Sequence, residues 1–325
     1  MKMSLLLVDA PSLYFRAFHG IPESAARAPD GSPVNAVRGF CDMLATIVRM
    51  RKPGRVICAL DEDWRPEWRV SLIPSYKTHR LANAKTGAEI VPAALERQVP
   101  LLEEVLAAFG IPAVGAAGYE ADDVLGTLAT REPGPVEVAS GDRDLFQLVD
   151  DDKPIRVLYC GRGVAKLEVL DDAALQAKYG VPAAGYADFA ALRGDPSDGL
   201  PGVPGVGEKT AARLIARFGG LAALVAAATD PAENFAPGLR AKLTSAADYL
   251  AAAPTVVRVA RDVPLPKLTG DLSAVPADPD RLMALAEQWN LAGSVRRLID
   301  AVSASARSER SEPRSRERNT GTDAR

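Results

Sequence analysis

Two short apolar runs, residues 4–8 and 55–60, each end on an aspartate, Asp9 and Asp61, and residues 34–50 between them have the apolar spacing of a helix. Strand, helix and strand in that order form a βαβ unit of an open parallel sheet, where polar function gathers at the carboxyl ends of the strands. Both aspartates fall there. One aspartate in such a place commonly just starts an Asx turn, but two at equivalent places argue for more. The alternation continues with an amphipathic helix at 92–109, a strand at 111–114, a helix opening near Glu120, a strand at 136–140, and a strand at 155–159 continued by a hairpin at 161–163. The pattern predicts an α/β domain over 1–172 with a mostly parallel, doubly wound sheet.

Beyond it helices dominate. Residues 186–193, 208–218, 221–228 and 239–252 have helical spacing and many alanines, followed by a strand at 256–263 and closing helices at 280–290 and 294–302. This predicts a helical domain over 173–302. Residues 303–325 are mostly Ser, Arg and Glu, which reads as a disordered tail able to add weak phosphate contacts. The chain carries no internal repeat.

Of the 325 residues, 47% are hydrophobic and 25% charged, an ordinary balance for a soluble globular protein. No apolar run reaches about eighteen residues, and the N-terminus lacks a cleavage pattern, so the expectation is a cytoplasmic protein with no membrane contact. Cys41, Cys58 and Cys160 are scattered in apolar stretches, as reduced core residues would be. With only His19 and His79 present, any metal must be held by oxygen, which selects hard ions such as magnesium or manganese. A net charge of −3 argues mildly against a nucleic-acid partner, unless the acids are gathered in one metal-loaded pocket.

The acids are indeed clustered. Glu120, Asp122 and Asp123 open one helix, Asp142 and Asp144 follow a strand, and Asp195 and Asp198 stand at i, i+3 in a loop. Capping alone needs one or two acids at a helix start. Drawn into one cleft with Asp9 and Asp61, these carboxylates would repel strongly, an arrangement that makes sense chiefly with divalent cations. Two ions held about 4 Å apart could generate hydroxide and stabilise the leaving oxygen of an in-line phosphoryl displacement, with Lys77 and Arg80 stabilising charge on the phosphate.

Residues 64–91 lose periodicity and become basic and aromatic, with Arg69, Tyr76, Lys77, His79, Arg80 and Lys85. Such a run is either a solvated face or a loop or arch suited to single-stranded nucleic acid. In the glycine-rich loop, Gly202, Gly205 and Gly207 run into a helix beginning Glu208, Lys209 and Thr210. Its backbone N–H groups either face a phosphate or simply make a tight turn.

The succession Leu7-Val-Asp9, Tyr76-Lys-Thr-His-Arg80, Tyr119-Glu-Ala-Asp-Asp123, Ser140-Gly-Asp-Arg-Asp-Leu-Phe-Gln-Leu148, Gly194-Asp-Pro-Ser-Asp198 and Pro201-Gly-Val-Pro-Gly-Val-Gly-Glu-Lys-Thr-Ala211 resembles the 5′-nuclease family. More narrowly it is similar to the bacterial 5′–3′ exonucleases that often form the N-terminal part of DNA polymerase I. The resemblance covers roughly residues 4–300. It implies a PIN/resolvase-like sheet and a metal-dependent nuclease that removes 5′ flaps and 5′-terminal nucleotides in replication and repair. By matched position, Asp9, Glu120, Asp122 and Asp123 would serve one metal and Asp142, Asp144, Asp195 and Asp198 the other, with Asp61 nearby. Tyr76, Lys77 and Arg80 would belong to a helical arch, with Arg69 beside them on the DNA path. Residues 186–218 would form a helix–three-turn–helix that grips duplex phosphates through Gly202, Gly205, Gly207, Lys209 and Thr210 and, in the family, often holds potassium.

Gly199 stands where the family often has asparagine, which puts the hydrogen bonding of Asp198 in question. The chain ends in a tail where a polymerase would follow, so the expectation is a free-standing monomer served by a separate polymerase. Two other readings stay open: a PIN-type ribonuclease, which lacks such an appended helical domain, and a DNA-structure-binding protein without catalysis, which would lack acids present here.

Overall fold

A computed structural model describes residues 4–83 and 86–311. Along the α/β part it places β1 (Leu5–Asp9), α1 (Ala10–Gly20), α2 (Asn35–Arg51), β2 (Arg55–Ala59), α3 (Glu67–Leu72), β3 (Leu81–Asn83), β4 (Ala88–Glu89), α4 (Ala93–Glu96), α5 (Val99–Phe109), β5 (Ala113–Val114), α6 (Ala121–Arg131), β6 (Val136–Ser140), β7 (Ile155–Tyr159) and β8 (Glu168–Leu170). The helical part follows with α7 (Asp172–Tyr179), α8 (Tyr186–Arg193), α9 (Glu208–Phe218), α10 (Leu221–Thr229), α11 (Leu239–Ser245), α12 (Ala247–Val257), α13 (Pro279–Gln288) and α14 (Ala292–Ser311).

The main sheet has the order β5-β2-β1-β6-β7-β8, parallel except for the antiparallel edge strand β8. It is the expected doubly wound sheet. Central strand β1 reads Leu-Leu-Leu-Val-Asp and is buried throughout, its first four residues apolar as a strand covered on both faces requires. Leu5 and Leu7 face a core built with α6 and the helical domain, while Leu6 and Val8 face a second core with α1, α2, α5, α13 and α14. From β1 the chain steps outward through β2 to β5, then returns to place β6 on the other side of β1. That reversal opens a crevice at the carboxyl ends of β1 and β6, the usual position for a site in an open α/β sheet.

Several boundaries differ from the sequence expectation, each for a local reason. The helix expected at 92–109 is split into α4 and α5, because Pro100 falls in the first turn of α5, where a missing N–H is harmless. The helix expected at 239–252 is likewise broken, at Ala246. No strand forms at 256–263: Val256 and Val257 finish α12, and the extended chain after them is bound by side chains. There Val259 N donates to Gln147 Oε1 (3.1 Å), Ala260 N to Asp123 Oδ1 (2.7 Å) and Val263 N to Thr127 Oγ1 (3.1 Å). The basic segment contains α3, a short 3-10 turn at Thr78–Arg80 and the β3–β4 hairpin. Lys85 lies outside the described residues.

The tail expected from residue 303 starts too early. Helix α14 runs through Ser311, and two of its serines point inward: Ser303 Oγ donates to Ala274 O (2.6 Å) and Ser305 Oγ to Pro53 O (2.7 Å). A polar composition read as disorder is here a helix whose small hydroxyls are satisfied by neighbouring carbonyls. Residues 312–325 lie outside the described residues. A chain ended after Val302 is therefore expected to melt at least about 2 °C below the full chain in a thermal unfolding experiment. Equal midpoints would show that these contacts contribute nothing.

Candidate active site

Asp9 ends β1 and also caps α1, accepting from Ser12 N (3.0 Å) on one oxygen and from the Ser140 hydroxyl on the other. Ser12 Oγ in turn accepts from Gly141 N (2.9 Å), and Ser140 Oγ accepts from Asp142 N (2.9 Å). These two serines lock the carboxyl ends of β1 and β6 together. Neither stood out in the sequence, although Ser140 directly precedes the Gly141-Asp142 pair. Asp61, just past β2, accepts from Ala121 N (2.7 Å), which ties it to the start of α6.

Asp9, Asp61, Glu120, Asp122 and Asp142 line one cleft of about 270 Å³, with Lys77 and Arg80 on its wall beside Phe15, Trp64 and Glu89. Glu89, on β4, is an acid the sequence did not single out. A second small cavity, lined by Glu120, Asp122, Asp144 and Asp198, adjoins the same helix start. The expected acids thus come from five separate stretches of chain to one region.

Two of them do not present a free carboxylate. Asp123 accepts from Arg69 Nη1 (2.8 Å) and Nη2 (2.7 Å), from Ala260 N (2.7 Å) and from Glu120 N (3.2 Å), and it is fully buried. Both of its oxygens are taken by donors of the protein, whereas the sequence led one to expect a metal ligand. Asp195 caps the turn that follows it, accepting from the Ser197 amide (2.9 Å) and hydroxyl, and approaches Arg193 Nη2 at 3.4 Å. Asp122 and Asp144 have carboxylates with no hydrogen bond or ion pair to any described residue.

Arg69 also departs from expectation. It is 2% exposed, and its guanidinium reaches Glu120, Asp123, Val256 O (3.0 Å) and Arg258 O (3.4 Å). A cation sealed in this way cannot touch DNA. Tyr76 OH donates to Glu120 Oε2 (2.8 Å) and the Lys77 ammonium pairs with Glu120 Oε1, while Arg80 pairs with Asp198 (3.0 Å).

Burial pushes Asp9 up to about 7 against the lowering effect of its hydrogen bonds. Burial, reinforced by Asp142, holds Asp122 and Asp144 well above the usual carboxylate range, and burial also raises Asp61 and Asp198. Burial would lower Lys77, but Glu120, Tyr76 and Asp198 keep it well above its ordinary value and charged. The site therefore holds a surplus of desolvated acid that its own cations do not neutralise.

Among the described residues no three acids close on a single point as a tight cage. The donor set nevertheless fits hydrated hard cations: it is all oxygen, it includes unpartnered carboxylates, and magnesium keeps several waters and needs one or two direct carboxylates.

In the helical part, α8, a 3-10 turn at Pro196–Asp198 and α9 form two helices joined by the glycine-rich loop. Gly202 has φ of 65°, and a Cβ there would sit 2.5 Å from Arg193 O, so this glycine serves a tight turn. Gly205, Gly207 and Lys209 are exposed, and no side chain caps the first N–H groups of α9, near Thr210.

Two family models match the chain. One, described as 5′–3′ exonuclease, N-terminal resolvase-like domain, covers residues 4–180, and the other, 5′–3′ exonuclease, C-terminal SAM fold, covers residues 181–280. A 5′–3′ exonuclease of Streptomyces coelicolor is 55% identical over 302 residues, spanning 92% of this chain and 100% of its own. One of Mycobacterium tuberculosis is 52% identical over 314 residues, spanning 93% and 98%. Among solved structures, the 5′-exonuclease of bacteriophage T5 with bound zinc superposes with a TM-score of 0.60 over 93% of this chain and 99% of its own at 16% identity, a likeness of fold. By both domain models and by these relatives, the chain belongs to the 5′–3′ exonuclease family.

Proposed function

We propose that this protein is a structure-selective nuclease that hydrolyses phosphodiester bonds of DNA at 5′ flaps and 5′ ends, using divalent magnesium or manganese. One observation carries the reading: acids from separate strand ends and a helix start line a single cleft at the switch point of the sheet, with Lys77 and Arg80 on its wall. Bound ions would supply a metal-activated water and charge neutralisation at the phosphate. Asp9, Asp61, Asp122 and Asp142 would hold them on one side, with Asp144 and Asp198 on the other. Lys77 and Arg80 would bind the scissile phosphate and offset its developing charge. Gly205, Gly207, Lys209 and Thr210 would meet duplex phosphate backbone, and the same loop is where we place a potassium ion. We further propose a monomer acting in the cytoplasm beside a separate polymerase, a placement supported by three buried, unpaired cysteines.

The test is cleavage of an end-labelled 5′-flap duplex, and of a matched single-stranded RNA, with magnesium, manganese or chelator. Metal-dependent cuts near the flap junction, with little RNA cleavage, are the expected result. Preferential cleavage of the RNA would support the ribonuclease reading, and tight DNA binding without cleavage would support the non-catalytic one.

The two adjacent aspartates separate chemistry from scaffold. Asp122→Asn is expected to lower cleavage at least about a hundredfold while leaving the melting midpoint and duplex affinity near those of the unaltered protein. Asp123→Asn breaks the buried pair with Arg69 and is expected to cost about 3–5 kcal/mol of stability, read from denaturant unfolding. The reverse pattern would exchange their roles.

Acidity supplies a further check. Because the folded state raises Asp9 from 3.8 to about 7, the metal-free fold takes up a proton that the unfolded chain does not. That stability contribution is present at low pH and is lost as pH rises through the folded value. Metal competes with those protons, so magnesium is expected to raise the melting midpoint more at about pH 8 than at about pH 6. A shift independent of pH would remove these acids from the metal site.

A further inference from the structure

Gly199 follows Asp198 and closes the 3-10 turn at Pro196–Asp198. Its backbone has φ of 70°, and a Cβ at this point would lie 2.2 Å from Ser75 O and 3.2 Å from Lys77 N. Both are backbone atoms, so no side-chain rotation relieves the first contact. The space is filled by the turn that carries Lys77. Ser75 Oγ donates to Gly199 O (2.8 Å), Lys77 N donates to Asp198 O (2.9 Å), and Arg80 Nη2 donates to Ser197 O (2.8 Å) and Asp198 Oδ1 (3.0 Å). Arg65 also donates to this turn, to Tyr76 O (2.6 Å) and Pro74 O (3.0 Å). Lys77 is held at φ of 49°, in the left-handed region that is uncommon for a lysine.

We propose that Gly199 is a positioning residue for cleavage. The missing side chain lets the 75–77 turn seat directly on the backbone of residues 198–199. That seating directs the Lys77 ammonium to Glu120 and the Arg80 guanidinium to Asp198. The proposal rests on the 5′-nuclease reading, in which these two cations meet the phosphate. A side chain at 199 pushes the turn outward and carries both cations with it, and a misplacement of about 1 Å can cost on the order of a hundredfold in rate. This chain thus joins its basic segment to its helical domain by backbone contact, at a point where an asparagine would not fit.

The pair Gly199→Ala and Gly199→Asn isolates the effect, because both add the same Cβ but asparagine tolerates positive φ far better than alanine. The experiment compares single-turnover cleavage of a 5′-flap duplex by the full-length variants with their binding of that duplex in chelator and with their melting midpoints. Both variants are expected to cleave at least about tenfold more slowly, with duplex affinity within about twofold of the unaltered protein. Ser75→Ala adds no bulk and removes one hydrogen bond, so it is expected to show a smaller loss of the same kind. An asparagine variant that cleaves at the full rate overturns the proposal, as does an affinity that falls in step with the rate. Should the glycine variants fail to fold, the serine variant decides, and unchanged cleavage by it is the contrary result. Failure of the unaltered protein to cut the flap is visible before any variant is compared and removes the nuclease reading together with this inference.

Discussion

The cleft keeps its shape because of one buried guanidinium. Arg69, on α3, grips Asp123 with two parallel hydrogen bonds, pairs with Glu120 at the opening of α6, and donates to the carbonyls of Val256 and Arg258 at the end of α12. It therefore joins the basic segment, the sheet domain and the helical domain at a single point. A planar, permanently charged fork suits this task in a way that a lysine ammonium does not. Removing either side of the arrangement would strand a charge in a dry interior, a far larger cost than losing an exposed ion pair.

The neighbouring acids are treated differently. Glu120 is occupied by Arg69, Tyr76 and Lys77, but two residues further on, the Asp122 carboxylate has no hydrogen bond or ion pair among the described residues, and neither does that of Asp144 across the adjoining cavity. Burial and the repulsion of neighbouring acids, Asp142 foremost, raise both, the mark of surplus negative charge in a desolvated site. The surplus sits at the switch point of the sheet, where β1 and β6 diverge toward their next elements and leave a crevice. Fold and chemistry coincide there because strand ends, a helix start and a loop bring acids from separate stretches of chain to the edge of one cleft.

Much of this was legible in the sequence, for reasons that vary from element to element. The first four residues of β1 are apolar, so a strand covered on both faces was readable, as was the position of Asp9 at its carboxyl end, where it lines the cleft. Helices α8 and α9 have sharp glycine boundaries and appear as expected. The pairing of Asp123 with Arg69 was not legible, because a bidentate buried pair has the same residue types as a metal ligand and a phosphate contact; only the fold shows that they face each other. The stretch at 256–263 has a strand's composition, but its amides are taken by Gln147, Asp123 and Thr127, partners more than a hundred positions distant. Ser12 and Ser140 were invisible for the same reason, since a serine's role depends on which carboxylate lies beside it.

The central claim is that the uncompensated acids at the switch point hold divalent cations. Calorimetric titration of metal-free protein with manganese near neutral pH addresses it directly, using the unaltered chain and its Asp122→Asn and Asp144→Asn variants. About two ions bound per chain, with one or both lost in each variant, is the expected result. Binding no stronger than that of scattered surface carboxylates, and indifferent to both substitutions, would contradict the claim.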